Sequence, residues 1–357
     1  MAGKLLFLNS HRAKSGIVDG QRLPAEYVLL AKVFGCGPLD RTQTLDMGLE
    51  YEILDELPTD GNGASFEAVC EQVADGIVSD ALANDQAIQL AWSGGIDSTV
   101  ALISIVARLI DRGELERLTV LLSLDSIREY PRFYAKSIQG KLRTEPLPIP
   151  IPTALREDAL TVTGEHGDQL FGSDHLADLV KSGLAQRPYA DVLPLFFFDK
   201  LGCTESAKRL MEYLAPQVEK APVPISTAFD FIWWCNFSLK WQQVALRIPA
   251  FRRGAIEPFV RTTRHFFGDP RFQAWSLSNP QVRRIQDWRA YKLEAKKVIL
   301  DATGDFEYFV GKEKAPSLKR VLVDRRRQGR DRYRVHMYDD YQVELEVFQI
   351  KNRGRAL

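Results

Sequence analysis

Cysteine is scarce in this chain: four in 357 residues, Cys36, Cys70, Cys203 and Cys235. They stand far apart and none forms a CxxC pair, so neither a zinc ribbon nor a redox dithiol is expected. Free thiols in a reducing compartment are the default reading. Long apolar runs are also missing, and none approaches the roughly 20 residues that a membrane-spanning helix needs. The opening MAGKLLFLNSHR holds only a four-residue apolar run, too short for the core of a signal peptide. Charge of one sign does not dominate, because 47 Lys and Arg balance 47 Asp and Glu. Net charge therefore gives no reason to expect nucleic acid or a lipid surface as a partner. Repeats and low-complexity tracts are absent. These absences leave a cytoplasmic globular protein with room for two domains.

What is present is an alternation of short apolar strands and helices. AIQLAW (87–92) reads as a buried strand, SGGIDS (93–98) as a loop, and TVALISIVARLIDRG as a helix ending at Gly113. LTVLLSL (118–124) is a second strand and ALTVT (159–163) a third, followed by a second polar turn, GEHGDQLFG. Helical spacing over 65–83 predicts a helix with Ser65 as its N-cap. Near-continuous apolar strands alternating with helices predict an α/β fold with a doubly wound parallel sheet. Residues 175–300 read as a helical C-terminal half that includes the aromatic block FDFIWWCNFSLKW (229–241). Residues 1–62 read as a small β-containing region, with strands over 5–9 and 26–34. Prolines 146, 148, 150 and 152 predict an extended connection. RRRQGR (325–330) is a charge run, and the residues after it alternate like a β-hairpin. The expected division is 1–62, 63–320 and 321–357.

SGGIDS sits at the tip of a strand and opens a helix. Ligands of open α/β sheets bind beyond the C-terminal strand ends. A loop there presents unpaired N–H groups and the positive end of the helix dipole. Gly94 and Gly95 let the main chain approach an anion closely, and Ser93 and Ser98 add hydroxyls. Asp97 is out of place beside phosphate unless Mg²⁺ joins them, since that ion favours one or two carboxylates plus phosphate oxygens. The loop therefore points to ATP and Mg²⁺. No GKS or GKT follows, so it is not a Walker A loop. The plain alternative is a Gly-Gly turn with Asp97 as a helix cap.

SGGIDS resembles the pyrophosphate loop (PP-loop) of the N-type ATP pyrophosphatases, whose fold is of the adenine nucleotide alpha hydrolase-like type. The superfamily cleaves ATP between the α and β phosphates and adenylates a substrate oxygen. That resemblance assigns Ser93, Gly94, Gly95, Ile96, Asp97 and Ser98 to ATP and pyrophosphate. It also expects main-chain groups at Trp92 and Leu124 to meet adenine. TGEHGDQLFGSD (163–174) is similar to the SGEGSDELFGGY element of asparagine synthetase and β-lactam synthetase. Gly164, Glu165, Asp168, Leu170, Phe171 and Gly172 match, and His166 stands where a glycine does. The resemblance makes Gly164 part of the nucleotide site and Asp168 the second carboxylate on Mg²⁺. It puts Glu165 at the acyl-transfer centre, where a carboxylate accepts a proton from the incoming amine. VGKEKAPSLKR (310–320) is similar to a catalytic segment of asparagine synthetases. Aligning K-x-K with R-x-K puts the catalytic cation at Lys314 and a second at Lys312.

The glutamine-dependent relatives begin Met-Cys, whereas this chain begins Met-Ala-Gly and has no cysteine before Cys36. A catalytic glutaminase is therefore not expected, and residues 1–62 would be at most its remnant. Nitrogen would come from ammonia, an ammonia-donating partner subunit, or an amine substrate. The implied activity is an ATP-dependent ligase that adenylates a carboxylate and passes the acyl group to ammonia or an amine. Two alternatives stay open. One is a PP-loop enzyme adenylating a nucleobase, nucleoside or sugar, with RRRQGR as a nucleic-acid foothold. The other is a non-catalytic nucleotide-binding subunit of a larger assembly.

Overall fold

The structure, a computed structural model, describes residues 5–59, 61, 63–147, 155–251, 257–314 and 347–349. Nine strands are found among the described residues. They are β1 (Leu5–Leu8), β2 (Ile17–Val18), β3 (Gln21–Arg22), β4 (Ala87–Ala91), β5 (Leu118–Leu122), β6 (Arg143–Pro146), β7 (Ala159–Thr163), β8 (Thr263–His265) and β9 (Val347–Gln349). Five of them form one parallel sheet in the order β6-β5-β4-β7-β8. From β4 the chain builds outward through β5 to β6. It then crosses back, lays β7 on the other side of β4, and adds β8 beyond it. The direction of building therefore reverses between β4 and β7. Right-handed crossovers send connections to opposite faces on either side of such a reversal. The crevice between the two strand tips is where ligands of open sheets bind.

Residues 87–91 and 159–163 form strands because both are short apolar runs that tolerate burial on two faces. Ile88, Leu90, Leu160 and Val162 are all within 2% of complete burial. The helix Ile96–Arg112 follows β4 and ends at Gly113, whose φ of 67° gives the left-handed cap that glycine favours. The helix Phe66–Ala83 packs beside it and starts at Ser65, whose Oγ accepts from Ala68 N. Ser65, Gly113 and the strands β4, β5 and β7 match the sequence expectation.

Three readings need correction. Residues 26–34 are not a strand but part of the helix Ala25–Phe34. Neighbouring helices cover that segment on several sides, so its apolar residues lack the one-faced spacing that marks a surface helix. Second, ALTVT is the fourth strand of the sheet in chain order, not the third, because Arg143–Pro146 precedes it. The sequence RTEP has no apolar pattern, since this strand lies on an edge and is largely exposed. Its proline fits that place, as edge strands tolerate a missing N–H. Third, Thr263–His265 adds β8 within the otherwise helical C-terminal half. The predicted hairpin beyond residue 320 lies outside the described residues apart from β9, which pairs antiparallel with β1. Residues 315–320, 148 and 150–152 also lie outside them.

The aromatic block becomes the helix Ala228–Leu239, buried along its whole length. Trp233, Trp234, Phe237 and Trp241 are each fully buried, so core packing is their role. One continuous core joins side chains from residues 8–47 to those of the sheet and the C-terminal helices. Arg41 helps to weld these parts. It donates to the carbonyls of Asp55 (2.8 Å) and Glu56 (2.7 Å) and to Gln273 Oε1 (2.6 Å), with its guanidinium 4.9 Å from the Trp241 ring centroid.

Candidate active site at the strand tips

The first loop, Ser93–Ser98, is shaped by its own side chains. Ser93 Oγ and Ser98 Oγ are 2.9 Å apart, and Ser93 N donates to Ser98 Oγ at 3.1 Å. Gly95 N donates to Ser93 Oγ (3.3 Å). Thr99 Oγ1 donates to Gly95 O (2.7 Å) and accepts from Trp92 Nε1 (3.0 Å). Gly94 is at φ 77°, and a Cβ there would lie 2.7 Å from Glu129 Cβ, so glycine is required. Gly95 is the N-cap of the helix Ile96–Arg112 and offers no side chain to its first-turn amides. Those amides and the helix dipole make the loop receptive to an anion.

The second loop, Gly164–Asp168, leaves β7 and enters the short helix Gly167–Phe171. It lies against the first loop. A Cβ on Gly164 would sit 2.6 Å from Ser98 N, and one on Gly167 would sit 2.7 Å from Asp97 Oδ2. Two main chains thus meet where only hydrogen fits. Asn236, fully buried on the aromatic helix, donates to Asp168 O (2.8 Å) and Gly172 O (2.9 Å) and accepts from Gln169. Trp233 Nε1 and Ser276 Oγ both donate to Leu170 O.

His166 stands at φ 72°, a backbone conformation that glycine adopts freely and histidine at a cost. The ring is fixed against Trp241, with centroids 4.3 Å apart and Nε2 donating to Trp241 O at 3.0 Å. Burial, reinforced by His265, holds His166 well below the usual imidazole range, so it stays neutral. His265 Nδ1 is 2.7 Å from Thr163 Oγ1, which accepts from Glu165 N (3.3 Å). Glu165 itself pairs with Arg247, which is the more exposed partner.

Asp97 and Asp168 converge on one ammonium. Lys292 Nζ contacts Asp97 Oδ2 and lies 2.7 Å from Asp168 Oδ1. Lys314 contacts Asp168 Oδ2, and Tyr291 donates its hydroxyl to Asp168 Oδ1 (3.3 Å). Burial pushes the Asp97 carboxyl above its ordinary value, against the pull of Lys292. Burial also acts on Asp168, but Lys292 and Lys314 together outweigh it and hold that carboxyl well below the usual range. Burial acts against the Lys292 charge, yet the two carboxylates raise its pKa, so it stays an ammonium.

Sequence reasoning missed Lys292. The helix Leu293–Thr303 packs along the helix Ile96–Arg112, which brings its N-cap, Lys292, over Asp97. Lys292 is at φ 59°, a strained entry for a lysine, and its side chain is only 2% exposed. No local motif marks it. Lys296, one turn later and fully buried, donates to Lys312 O (2.9 Å) and to Arg289 O. It thereby ties the segment carrying Lys312 and Lys314 to the helix that carries Lys292. Of the two predicted cations, Lys314 reaches Asp168, whereas Lys312 pairs with Glu129, the residue packed over Gly94.

The remaining predicted positions surround this centre. Trp92 is fully buried and its N–H is taken by Leu121 O (2.9 Å). Leu124 opens the short helix Leu124–Glu129 beyond β5 and is 63% exposed. Ile96 is buried beneath the first loop.

Among the described residues no group of three or more His, Cys, Asp or Glu side chains is placed to hold a metal. Mg²⁺ does not need one, since phosphate oxygens and water complete its shell. Among the described residues nothing hydrogen-bonds to the buried Asp97 Oδ1, and both carboxylates already share a cation. Hard oxygen donors so arranged fit Mg²⁺ with a polyphosphate. No protein-family model matches the chain, and a search of curated proteins finds no match. No helix among the described residues is long and apolar enough to cross a membrane.

Proposed function

We propose that the protein is an ATP-dependent, AMP-forming amide ligase of asparagine synthetase-like kind on an adenine nucleotide alpha hydrolase-like domain. The observation that carries this reading is the meeting of Asp97 and Asp168 on Lys292 Nζ, where the sheet order reverses. A bare acidic pair would repel ATP. A pair already matched by two ammonium groups is neutral overall, so it can accept a divalent cation and a polyphosphate together.

The amides of the first loop and the Ser93 and Ser98 hydroxyls hold phosphate oxygens. Asp97 and Asp168 would hold Mg²⁺, which would supply neutralising charge to the pyrophosphate. A substrate carboxylate oxygen attacks the α-phosphorus, the bond to the bridging oxygen breaks, and pyrophosphate leaves. Lys292 and Lys314 stabilise the charge that develops as it does. The amine nitrogen then attacks the acyl carbon and AMP departs. Glu165 takes the proton that the amine loses. Its present partner, Arg247, is half-exposed and can yield to the incoming amine.

The test is ATP–pyrophosphate exchange across a panel of carboxylic acids, nucleosides and sugars, with AMP release followed separately. Exchange that depends on a carboxylic acid supports the proposal. Exchange that depends on a nucleoside or sugar transfers the chemistry to that acceptor. ATP binding without AMP release under every condition makes the protein a nucleotide-binding subunit instead.

A further inference from the structure

Arg247 and Glu165 form an ion pair at the tip of β7, with Arg247 Nη2 on Glu165 Oε2. An exposed pair of this kind adds little to stability. Its two members are not equally exposed. The Glu165 side chain is 22% exposed and that of Arg247 49%. The acid is the inner member and the cation the outer one.

Both ends of the pair are held. Glu165 N donates to Thr163 Oγ1 (3.3 Å), and a Cβ on the preceding Gly164 would lie 2.6 Å from Ser98 N. Arg247 caps the helix Trp241–Leu246. Two histidines tie that helix to the second loop and to β8. His166 Nε2 donates to Trp241 O (3.0 Å), and His265 Nε2 donates to Ala245 O (2.7 Å). Burial pushes His265 below the ordinary imidazole value, so the ring carries one proton. That proton is on Nε2, because a carbonyl only accepts. Nδ1 then accepts from the Thr163 hydroxyl at 2.7 Å. Hydrogen bonds therefore run from Glu165 N–H through Thr163 and His265 to the helix that ends at Arg247. Opposite charges from residues 82 apart in the chain are fixed side by side where solvent reaches both.

Such a pair is complementary to a particular kind of guest. A bare ammonium on Glu165 would displace Arg247 and give the guanidinium nothing in return. A zwitterion replaces one ion pair by two, with its ammonium on Glu165 and its carboxylate on Arg247. The planar guanidinium fork matches a carboxylate. The order of depth also fits. The nitrogen enters first, towards the acyl carbon, and the carboxylate stays at the rim.

We infer that the amine substrate is an amino acid, bound as its zwitterion across Glu165 and Arg247, and that Arg247 selects it by its carboxylate. The inference rests on the ligase reading and names the nucleophile which that reading leaves open. The ammonium gives one proton to Glu165, and the nitrogen lone pair forms the C–N bond to the acyl carbon. The C–O bond to AMP breaks, its electron pair leaves with AMP, and the nitrogen loses its second proton to water. The product is an N-acylated amino acid.

The test uses the full chain, Mg-ATP and a carboxylic acid that supports pyrophosphate exchange. The common amino acids as a mixture, the same set as carboxamides, and ammonium chloride are supplied in parallel, and amide products are measured by mass spectrometry. The amino acids should yield about ten-fold more product than either alternative, or better, the worth of a charged hydrogen bond. Equal yields, or a preference for carboxamides or ammonium, overturn the inference. So does adenylation without amide from any of the three. Arg247→Gln should cut the ratio of amino-acid to carboxamide product by about ten-fold, and Arg247→Lys should restore part of it. This ratio cancels any general loss of activity, so an unchanged ratio in Arg247→Gln also overturns the inference. The comparison of amines needs only the wild-type protein, so it decides the matter even where Arg247→Gln does not fold. If no carboxylic acid supports exchange, the ligase reading itself fails and takes this inference with it, before any amine is added.

Discussion

The loop Ser93–Ser98 is bonded mostly to itself, whereas the loop Gly164–Asp168 is bonded mostly to distant parts of the chain. In the first, Ser93, Gly95, Ser98 and Thr99 satisfy one another within seven residues. In the second, the partners are Asn236, Trp241, Arg247, Tyr291, Lys292 and Lys314. One loop carries its shape in its own sequence. The other borrows its shape from segments that arrive 68 to 146 residues later. Local and borrowed shape should fail in different ways.

The largest effect should come from the one residue of the self-bonded loop that reaches outward. Asp97→Asn should lower pyrophosphate release by about a hundred- to a thousand-fold, the usual cost of losing one electrostatic element. Its folding stability should change little, which a melting curve checks. Glu165→Gln should separate the two half-reactions. Exchange should stay near wild type while amide formation slows by about a hundred-fold. Equal loss of both would show that the second loop does not divide the labour as proposed.

Asn236→Ala tests the borrowed shape directly. It orphans two buried carbonyls and should cost about 3 kcal/mol, read from the urea midpoint. It should also lower activity although Asn236 touches no reacting group. A smaller effect is expected from acid. Burial depresses both His166 and His265 below the ordinary imidazole value. Their contribution to stability is therefore present above the unfolded value of about 6.5 and is lost as pH falls below it. Each ring should cost up to about 1 kcal/mol per pH unit there, and melting at pH 7.5 and 5.5 measures it. His166→Asn and His265→Asn should each flatten the dependence. Smallest of all should be Ser93→Ala, at about 1 kcal/mol or less, since it removes neighbour-to-neighbour hydrogen bonds that water replaces at low cost.

The same contrast explains what was legible in the sequence. The Ser65 and Gly113 caps are set by contacts a few residues long, and β4, β5 and β7 are short apolar runs, so the residue pattern shows them. Both polar loops were visible because Gly94 and Gly164 answer to close main-chain approaches and Gly167 to the Asp97 carboxylate. Lys314 was reached through a short resemblance, and it does meet Asp168. Lys292 was not, because nothing near it in the chain distinguishes it from any lysine before a helix. Its role comes from the packing of Leu293–Thr303 on Ile96–Arg112, a tertiary event. Ala25–Phe34 was misread for a related reason: a helix covered on several sides loses its period. β6 was missed because its edge position removes the need for apolar residues.

Gly167 fills its place against Asp97 with a single hydrogen atom. The neighbour it meets is the Asp97 carboxylate itself, so this hydrogen fixes where that side chain can lie. A methyl group at that point would press the carboxylate off its present line towards Lys292. Replacement by alanine would shift one jaw without altering a single charge, which makes it a clean way to learn how closely the acids must be held.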